Sequence, residues 1–162
     1  MAEPHKLQKP MLLALIGKSP ESEEFKTILN VLGEPEEINT FEGNLLYYTW
    51  KSKGVDISFV DNRMDGVILF IEPNKDYPHS ARAYTYYDDW DYDFTAQELI
   101  NFYGEPTRKK EAQGYSYLIE SETTNVMTYQ DDRYRITYSF TSTDWDTVTR
   151  IDIGEPIEFI DW

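Results

Sequence analysis

With 162 residues, no cysteine and a net charge of −15 at pH 7, the chain is acidic and free of disulfides. A field of this sign repels phosphate and attracts a basic protein, so nucleic acid and membrane are not expected partners; plain solubility is the other explanation of the charge. The lack of cysteine also excludes thiolate chemistry and fits a reducing cytosol, so we expect a cytoplasmic protein.

The length suits a single domain over residues 1–162, and an aromatic content of 15% suffices for a substantial core. The longest apolar run, residues 11–16, is far too short to cross a bilayer. We interpret it as a strand buried on both faces and not as a signal peptide, because polar residues precede it and no small-residue cleavage site follows.

One short sequence occurs twice. Residues 30–35 read Asn-Val-Leu-Gly-Glu-Pro and residues 101–106 read Asn-Phe-Tyr-Gly-Glu-Pro. Before each copy, apolar residues follow the i, i+3, i+4, i+7 spacing of an amphipathic helix, which glycine and proline then end. The two sets are Phe25, Ile28, Leu29 and Leu32, and Ala96, Leu99, Ile100 and Tyr103.

The first half is predicted to be a helix followed by an antiparallel meander. Ser19 as N-cap with Pro20 at the first helical position begins a helix that runs to Leu32. Alternating apolar residues and turn signals predict the strands that follow. These strands are 45–50, 55–59 and 67–71, with a turn at 61–66.

The second half repeats this order. Thr95 and Glu98 form a capping box, and Phe94 with Leu99 is expected to close a hydrophobic staple. The expected strands are 115–119, 126–130, 134–140 and 148–153. Allowing for an insertion, Thr49-Trp50 matches Thr128-Tyr129; Val55, Ile57 and Phe59 match Tyr134, Ile136 and Tyr138; Val67-Ile68 matches Val148-Thr149.

These elements predict an α+β fold of two tandem helix-plus-antiparallel-meander units, which form one curved sheet with the helices packed on one face. The tail alternates from Ile157 and is expected to add an edge strand or to cover the core. The expected divisions are a first repeat at 11–71, an acidic-aromatic join at 72–93, a second repeat at 94–153 and a tail at 154–162.

Catalytic and metal sites find no support in the sequence. The D-x-D-x-D segment at 89–93 lacks the glycine and the final acid of a calcium loop, since Phe94 and Ile100 occupy those positions. The two histidines stand apart, and neither a nucleophile elbow nor a glycine-rich phosphate loop is present. We therefore expect a non-enzymatic protein without metal or cofactor.

The acidic-aromatic join is the candidate for binding a partner. Aromatic side chains supply rigid contact area, and neighbouring aspartates can meet the basic residues of a partner. An alternative holds for Tyr84 and Tyr86, which align with Leu13 and Leu15 and are then half-buried strand residues. The candidate binding residues are Tyr87, Asp88, Asp89, Trp90, Asp91 and Tyr92.

The tandem units resemble the β-lactamase inhibitor protein, and the small lipoprotein of the outer-membrane barrel-assembly machinery is similar to a single unit. The motifs that carry this resemblance are Leu32-Gly33-Glu34-Pro35 and Tyr103-Gly104-Glu105-Pro106, with the apolar helix faces before them. The resemblance implies an aromatic sheet face presented to another protein, with Tyr48, Trp50, Tyr129 and Tyr138 as candidate face residues. Proteins of this class also resemble cytosolic immunity proteins.

We therefore predict an acidic immunity protein or inhibitor that masks a basic toxin or enzyme. The sequence has no cysteine and is expected to have no secretion signal, unlike the β-lactamase inhibitor, so the target is not carried over. The alternative is a small-ligand or carbohydrate-binding module with an aromatic and aspartate surface. An enzyme with a carboxylate pair in the sheet ranks third.

Overall fold

The computed structural model describes residues 6–42, 44–73, 75, 77–85, 92–110, 125–141 and 144–157. The helices are α1 (Lys9–Leu15), α2 (Glu23–Leu32) and α3 (Ala96–Tyr103). The strands are β1 (Glu37–Phe41), β2 (Leu45–Trp50), β3 (Val55–Val60), β4 (Arg63–Phe70), β5 (Arg108–Lys110), β6 (Val126–Gln130), β7 (Arg135–Phe140) and β8 (Val148–Gly154). Short 3₁₀ turns lie at Lys51–Lys53 and Ala81–Tyr84.

The eight strands form one antiparallel sheet in the order β1-β2-β3-β4-β8-β7-β6-β5. Each set of four is a meander, and the two sets join where β4 pairs with β8. At this junction Ile68 lies opposite Asp152. The predicted α+β class is confirmed.

The apolar run at 11–16 is not a strand but most of helix α1, which corrects the sequence interpretation. A short apolar run does not by itself distinguish a buried strand from a buried helix. Pro10 lies in the first turn, where its fixed φ favours a helix, and Leu12 and Leu15 are buried one helical turn apart. After the helix, the Gly17 N–H donates to the Met64 carbonyl, which fixes the chain against β4.

Helix α2 begins three residues later than predicted. Its N-cap is Ser22, whose Oγ accepts the Phe25 N–H at 3.2 Å. Ser19 instead closes the turn before the helix, since its carbonyl accepts the Ser22 N–H at 3.1 Å. The end of the helix at Leu32 is as predicted.

The capping box of α3 is confirmed. Thr95 Oγ1 accepts the Glu98 N–H at 3.1 Å, and the Glu98 carboxylate accepts the Thr95 N–H at 3.0 Å. Phe94 packs edge-on against Phe102, while its contact with Leu99 stays a prediction. Helices α2 and α3 both end before a glycine, at Gly33 (φ +79°) and Gly104 (φ +92°), as the repeated motif predicts.

The central strands lie close to their predicted positions. Strands β2 and β6 are as predicted, and β4 begins earlier because the turn before it contains only Asp61 and Asn62. Both residues have positive φ, as a two-residue type I′ hairpin requires. The edge strands β1 and β5 were not predicted. The expected strand 115–119 and residues 158–162 of the tail lie outside the described residues.

The core combines buried residues of α1, α2 and α3 with alternate residues of the strands. The Phe25 ring of α2 packs edge-on against Tyr48 at 4.9 Å and Phe59 at 5.0 Å between ring centroids. In β3 and β7 every second residue is apolar and buried, and Ser139 of β7 is buried in addition. The apolar residues are Val55, Ile57, Phe59, Ile136, Tyr138 and Phe140.

Candidate protein-binding surfaces

Two of the four aromatic residues expected on an open sheet face are core residues. Trp50 is 0% and Tyr138 is 2% exposed, so neither side chain has surface to offer a partner. The reason is register: both residues lie on the buried side of their strands. Trp50 directs its indole N–H to the carbonyl of Gly33 at 3.0 Å, which secures it beneath the end of α2. We correct both assignments.

The other two residues, Tyr48 and Tyr129, are half-buried. Tyr48 packs between Phe25 and the Trp50 ring, and burial, followed by the charge of Glu21, raises the pKa of its hydroxyl. The ring also contacts Phe59 at 5.6 Å, so only part of this residue is exposed. Tyr48 therefore remains a candidate at the margin of a surface, not at its centre.

Tyr129 is fixed by contacts of its ring and by a hydrogen bond from its hydroxyl. Its ring lies 5.6 Å from Tyr103 and 6.3 Å from Tyr138, and its hydroxyl donates to the Gly104 carbonyl at 2.9 Å. Burial, followed by the charge of Glu105, raises the pKa of this hydroxyl. Tyr129 thus supports the end of α3 and exposes only part of its ring.

The acidic-aromatic join is described only at its ends. Tyr87, Asp88, Asp89, Trp90 and Asp91 lie outside the described residues, so their proposed role stays a prediction. The prediction that Tyr92 contacts a partner is wrong, because Tyr92 is 3% exposed and its hydroxyl lies 3.0 Å from Thr85 Oγ1. The Arg82 guanidinium covers its ring at 4.6 Å.

The alternative interpretation of Tyr84 is confirmed in that Tyr84 is half-buried against the core, but its assignment to a strand is wrong, and Tyr86 lies outside the described residues. Tyr84 ends the 3₁₀ turn at 81–84, and only the next residue, Thr85, forms a bridge, with Leu7. Asp93 pairs with Arg82 at 2.6 Å, so at least this acid of the segment has a cation beside it.

The end of α3 carries aromatic residues that the sequence analysis did not assign to binding. Phe102 is 70% exposed, and its ring lies 5.9 Å from Phe94 and 4.8 Å from Tyr103. Tyr103 in turn reaches Tyr129. We call Phe94, Phe102, Tyr103 and Tyr129 the α3 aromatic surface. The sequence contained a signal for the exposure of Phe102, because this residue falls outside the i, i+3, i+4, i+7 apolar stripe of the helix.

A second surface lies on the strand residues that alternate with the core. Asp56 on β3 accepts the Tyr77 hydroxyl at 3.0 Å and the Thr49 hydroxyl at 3.3 Å. Burial raises the pKa of Asp56, and the bond from Tyr77 opposes that rise. The Tyr77 ring stacks on Phe70 at 4.1 Å. This cluster combines aromatic faces with a hydrogen-bonding carboxylate.

Metal ligands do not gather within the described ranges, where no group of three or more His, Asp or Glu side chains could hold an ion. Most of the D-x-D-x-D segment lies outside those ranges. In the same described part of the chain, no helix has the length and apolarity that a membrane crossing requires.

No protein-family model and no curated protein matches the chain. The solved structures that match the chain include the following three. A DUF4309 family protein from Bacillus subtilis has 13% identity and a TM-score of 0.45 over 81% of this chain and 77% of its own. A cysteine-rich secretory protein from Staphylococcus aureus has 14% identity and a TM-score of 0.53 over 88% of this chain and 45% of its own.

The third structure is an extracellular protein containing a SCP domain from Bacillus anthracis, with 10% identity and a TM-score of 0.55 over 96% of this chain and 48% of its own. The chain thus spans about half the length of the staphylococcal and anthrax proteins. At these identities the likeness concerns the fold alone. None of the three is a β-lactamase inhibitor protein, and the resemblance to that family stays a prediction.

Proposed function

We propose that the protein is a non-enzymatic, acidic binding protein that masks a basic partner, as an immunity protein or inhibitor does. The observation that carries the proposal is the exposure of Phe102 at the centre of the α3 aromatic surface. Large aromatic side chains anchor protein interfaces when they insert into a partner's pocket. An exposed phenylalanine held in place by neighbouring rings is preorganised for that role.

Charge and aromatic contacts would act on different rate constants of binding. The net charge of −15 would steer a basic protein to the surface and raise the association rate, and the aromatic residues would slow dissociation. Phe94 directly follows the acidic segment that ends at Asp93, so acids and exposed rings are close in sequence. In this proposal Asp88, Asp89 and Asp91 contact basic residues at the edge of the interface.

We further propose that the halves are structural repeats with the helices on one side of the sheet. Trp50 on β2 and Tyr129 on β6 each donate to the carbonyl of the glycine that ends the preceding helix. The pairing register also shifts at the same place in each half, between Ser58 and Phe59 and between Ser139 and Phe140. Bulges are conserved within protein families, so a bulge at the same place in both halves favours a shared origin.

The bulges revise the alignment of the halves. The sequence match of Thr49-Trp50 with Thr128-Tyr129 agrees with the hydrogen bonds that Trp50 and Tyr129 make to Gly33 and Gly104. The match between β3 and β7, in contrast, moves two residues toward the C-terminus of β7. Val55, Ile57 and Phe59 then correspond to Ile136, Tyr138 and Phe140, and all six are buried. A duplicated unit of this kind supports the resemblance to the β-lactamase inhibitor protein, by analogy of fold alone.

A small-ligand module is the second candidate, and the Asp56 cluster is the observation that favours it. The stacked rings of Phe70 and Tyr77 suit a sugar face, and Asp56 can accept hydroxyl hydrogen bonds. A sugar that binds the folded state must raise the melting temperature. A sugar panel that produces no rise removes this candidate.

The place of action within the cell is also a proposal. The lack of cysteine supports the cytoplasm, whereas two similar structures are described as a secretory and an extracellular protein. Cell fractionation with an antibody against this chain distinguishes the two compartments.

The decisive experiment is capture of a partner from the lysate of the source organism, at low and high salt, with Phe102→Ser and Ile157→Ser as a matched pair. Ile157 is exposed but belongs to a different part of the chain. We expect the wild-type protein and Ile157→Ser to retain a stoichiometric basic protein that salt releases, and Phe102→Ser to lose it. Equal retention by Phe102→Ser, or an acidic partner, would overturn the proposal.

A further inference from the structure

Strand β1 is the edge of the described sheet, and it is exposed along its whole length. Ile38 is 55% and Phe41 is 56% exposed, although both are large apolar residues. They are three positions apart, so they project from opposite faces of the strand. In an antiparallel edge strand, alternate N–H and C=O groups point away from the sheet and can pair with another chain.

The charges along this edge are acidic. Glu36 accepts the Ser52 N–H at 2.7 Å, and the hydrogen bonds from Ser52 lower its pKa, so it is ionised at neutral pH. Glu37 pairs with Lys51 at 2.8 Å, and Glu42 at the other end is exposed. A segment that pairs with β1 would therefore meet exposed negative charge at the Glu42 end, whereas Lys51 and Lys53 partly offset the charges of Glu36 and Glu37 at the other end.

A cavity of about 440 Å³ opens beside the same strand, at the end where β1 turns into β2. Its walls include Phe41, Leu45 and Leu46, which are apolar, and Asp61 and Asn62, which are polar. Asn44 Nδ2 donates to Asp61 Oδ1 at 3.0 Å, and the Asp61 N–H donates to the Asn44 carbonyl at 3.2 Å. The carboxylate is thus held in place in the lining of a cavity whose walls are partly apolar.

This combination suits the side chain of lysine or arginine. Such a side chain buries its methylene stem against apolar walls and keeps its cationic head at a carboxylate. The Asp61 carboxylate accepts a hydrogen bond from a neutral amide and has no cation beside it among the described residues.

We propose that β1 binds an extended basic segment of another protein by strand addition. The segment pairs its backbone with the free edge of β1 and places alternate side chains against Ile38 and Phe41. One lysine or arginine enters the cavity and meets Asp61. Main-chain bonds supply affinity in this mode of recognition, and the cavity supplies specificity.

A second copy of this chain is a poorer occupant of the edge. Antiparallel pairing of two β1 strands centred on Asn39 would place Glu36 of each copy opposite Glu42 of the other. Like charges across a strand pair are destabilising. The proposal does not rest on the α3 aromatic surface, which involves other residues.

The test uses a short fluorescein-labelled peptide of alternating lysine and valine, titrated into the full protein by fluorescence anisotropy. The control peptide has the same sequence with alternate backbone nitrogens methylated, which keeps the charge but blocks strand pairing. We expect methylation to weaken binding about tenfold or more, and Phe41→Ser and Asp61→Asn each to weaken binding of the unmodified peptide several-fold. Phe102→Ser is expected to bind it normally.

Hydrogen exchange with and without the peptide locates the bound strand. We expect the slowed amides to be those of residues 37–41. Equal binding of the two peptides would mean attraction by charge alone and would overturn the proposal, as would protection at α3 instead of β1. A dimer that dissociates when Ile38 is changed to Lys, with no peptide binding, would assign the edge to a second copy and also overturn it. Circular dichroism and thermal melts establish that each variant is folded.

Discussion

The indole nitrogen of Trp50 lies 3.0 Å from the carbonyl oxygen of Gly33, and it satisfies a group that the end of α2 leaves without a helical partner. Tyr129 does the same for Gly104 at the end of α3, at 2.9 Å. A helix terminus in each half is thus secured by an aromatic side chain from the second strand of the following meander.

Removing these two bonds is expected to lower stability by different amounts. Tyr129→Phe deletes one hydrogen bond from a half-buried ring and should reduce the free energy of unfolding by about 1 kcal/mol. Trp50→Phe also leaves a cavity in the core and should cost about 2–3 kcal/mol. Urea denaturation measures both values. Tyr134→Phe is the control, because its hydroxyl has no hydrogen-bond partner among the described residues, and a loss as large as that of Tyr129→Phe would contradict the assignment.

Gly104 is expected to be intolerant of any side chain for conformational reasons. An added Cβ would meet no atom within 4 Å, so crowding is not the cause, but φ is +92°. Such a backbone conformation is strained for an L-residue. Gly104→Ala should lower the free energy of unfolding by about 1–2 kcal/mol in a thermal or urea melt. Glu105→Ala beside it is the control and should change little; equal losses would show that the glycine conformation is not the reason.

The parts of the fold that the sequence predicted well are those with a local cause. The capping box at Thr95, the glycine stops at 33 and 104 and the alternation of β3 each depend on residues close together in the chain. The apolar run at 11–16 was misread because its pattern fits either a helix or a buried strand. Strands β1 and β5 lie at the described edges of the sheet and lack the apolar alternation that marks a half-buried strand.

The candidate site was less predictable, because a sequence does not say which strand face meets the helices. Trp50 and Tyr138 were expected on an open face, yet register placed them in the core. Tyr92 was assigned to the surface with its neighbours, but its hydroxyl finds Thr85 inside the fold. Phe102 could have been found, since a phenylalanine outside the apolar stripe of a helix is a surface residue that folding does not require.

Asp131 is expected to stabilise the β6–β7 turn only while it is ionised. Its carboxylate accepts the N–H groups of Arg133 at 2.7 Å and Tyr134 at 3.1 Å, and these bonds lower its pKa. An acid whose pKa is lowered by folding stabilises above its ordinary pKa, and that contribution disappears as the pH falls through the folded value. Asp131→Ala should therefore destabilise the protein at about pH 7 but much less at about pH 2.

Urea denaturation at both pH values measures this difference. Asp132→Ala is the control for removal of a neighbouring charge, because no hydrogen bond to its carboxylate is found among the described residues. A destabilisation by Asp131→Ala that is the same at both pH values would mean that the carboxylate charge is not involved.

Asp56 is expected to have the opposite dependence on pH. Burial raises its pKa, so the folded protein holds a proton on this carboxyl more tightly than the unfolded chain does. The free energy of unfolding contributed by this group therefore falls as the pH rises from the ordinary aspartate pKa through the raised value, and the penalty is fully present only above that raised value. Asp56→Asn removes that dependence, whereas Asp65→Asn, on the neighbouring strand β4, serves as the control for lost charge.

Tyr77→Phe tests the cause of the shift. The Tyr77 hydroxyl donates to Asp56 and opposes the effect of burial, so its removal should raise the pKa of Asp56 further. A carbon-detected NMR titration of the Asp56 carboxyl measures this directly in both proteins, and the pH range over which stability falls should extend upward by the same amount. If the pKa of Asp56 does not rise in Tyr77→Phe, the Tyr77 hydroxyl does not stabilise the carboxylate, and the hydrogen bond from Thr49 is left as the main influence that opposes burial.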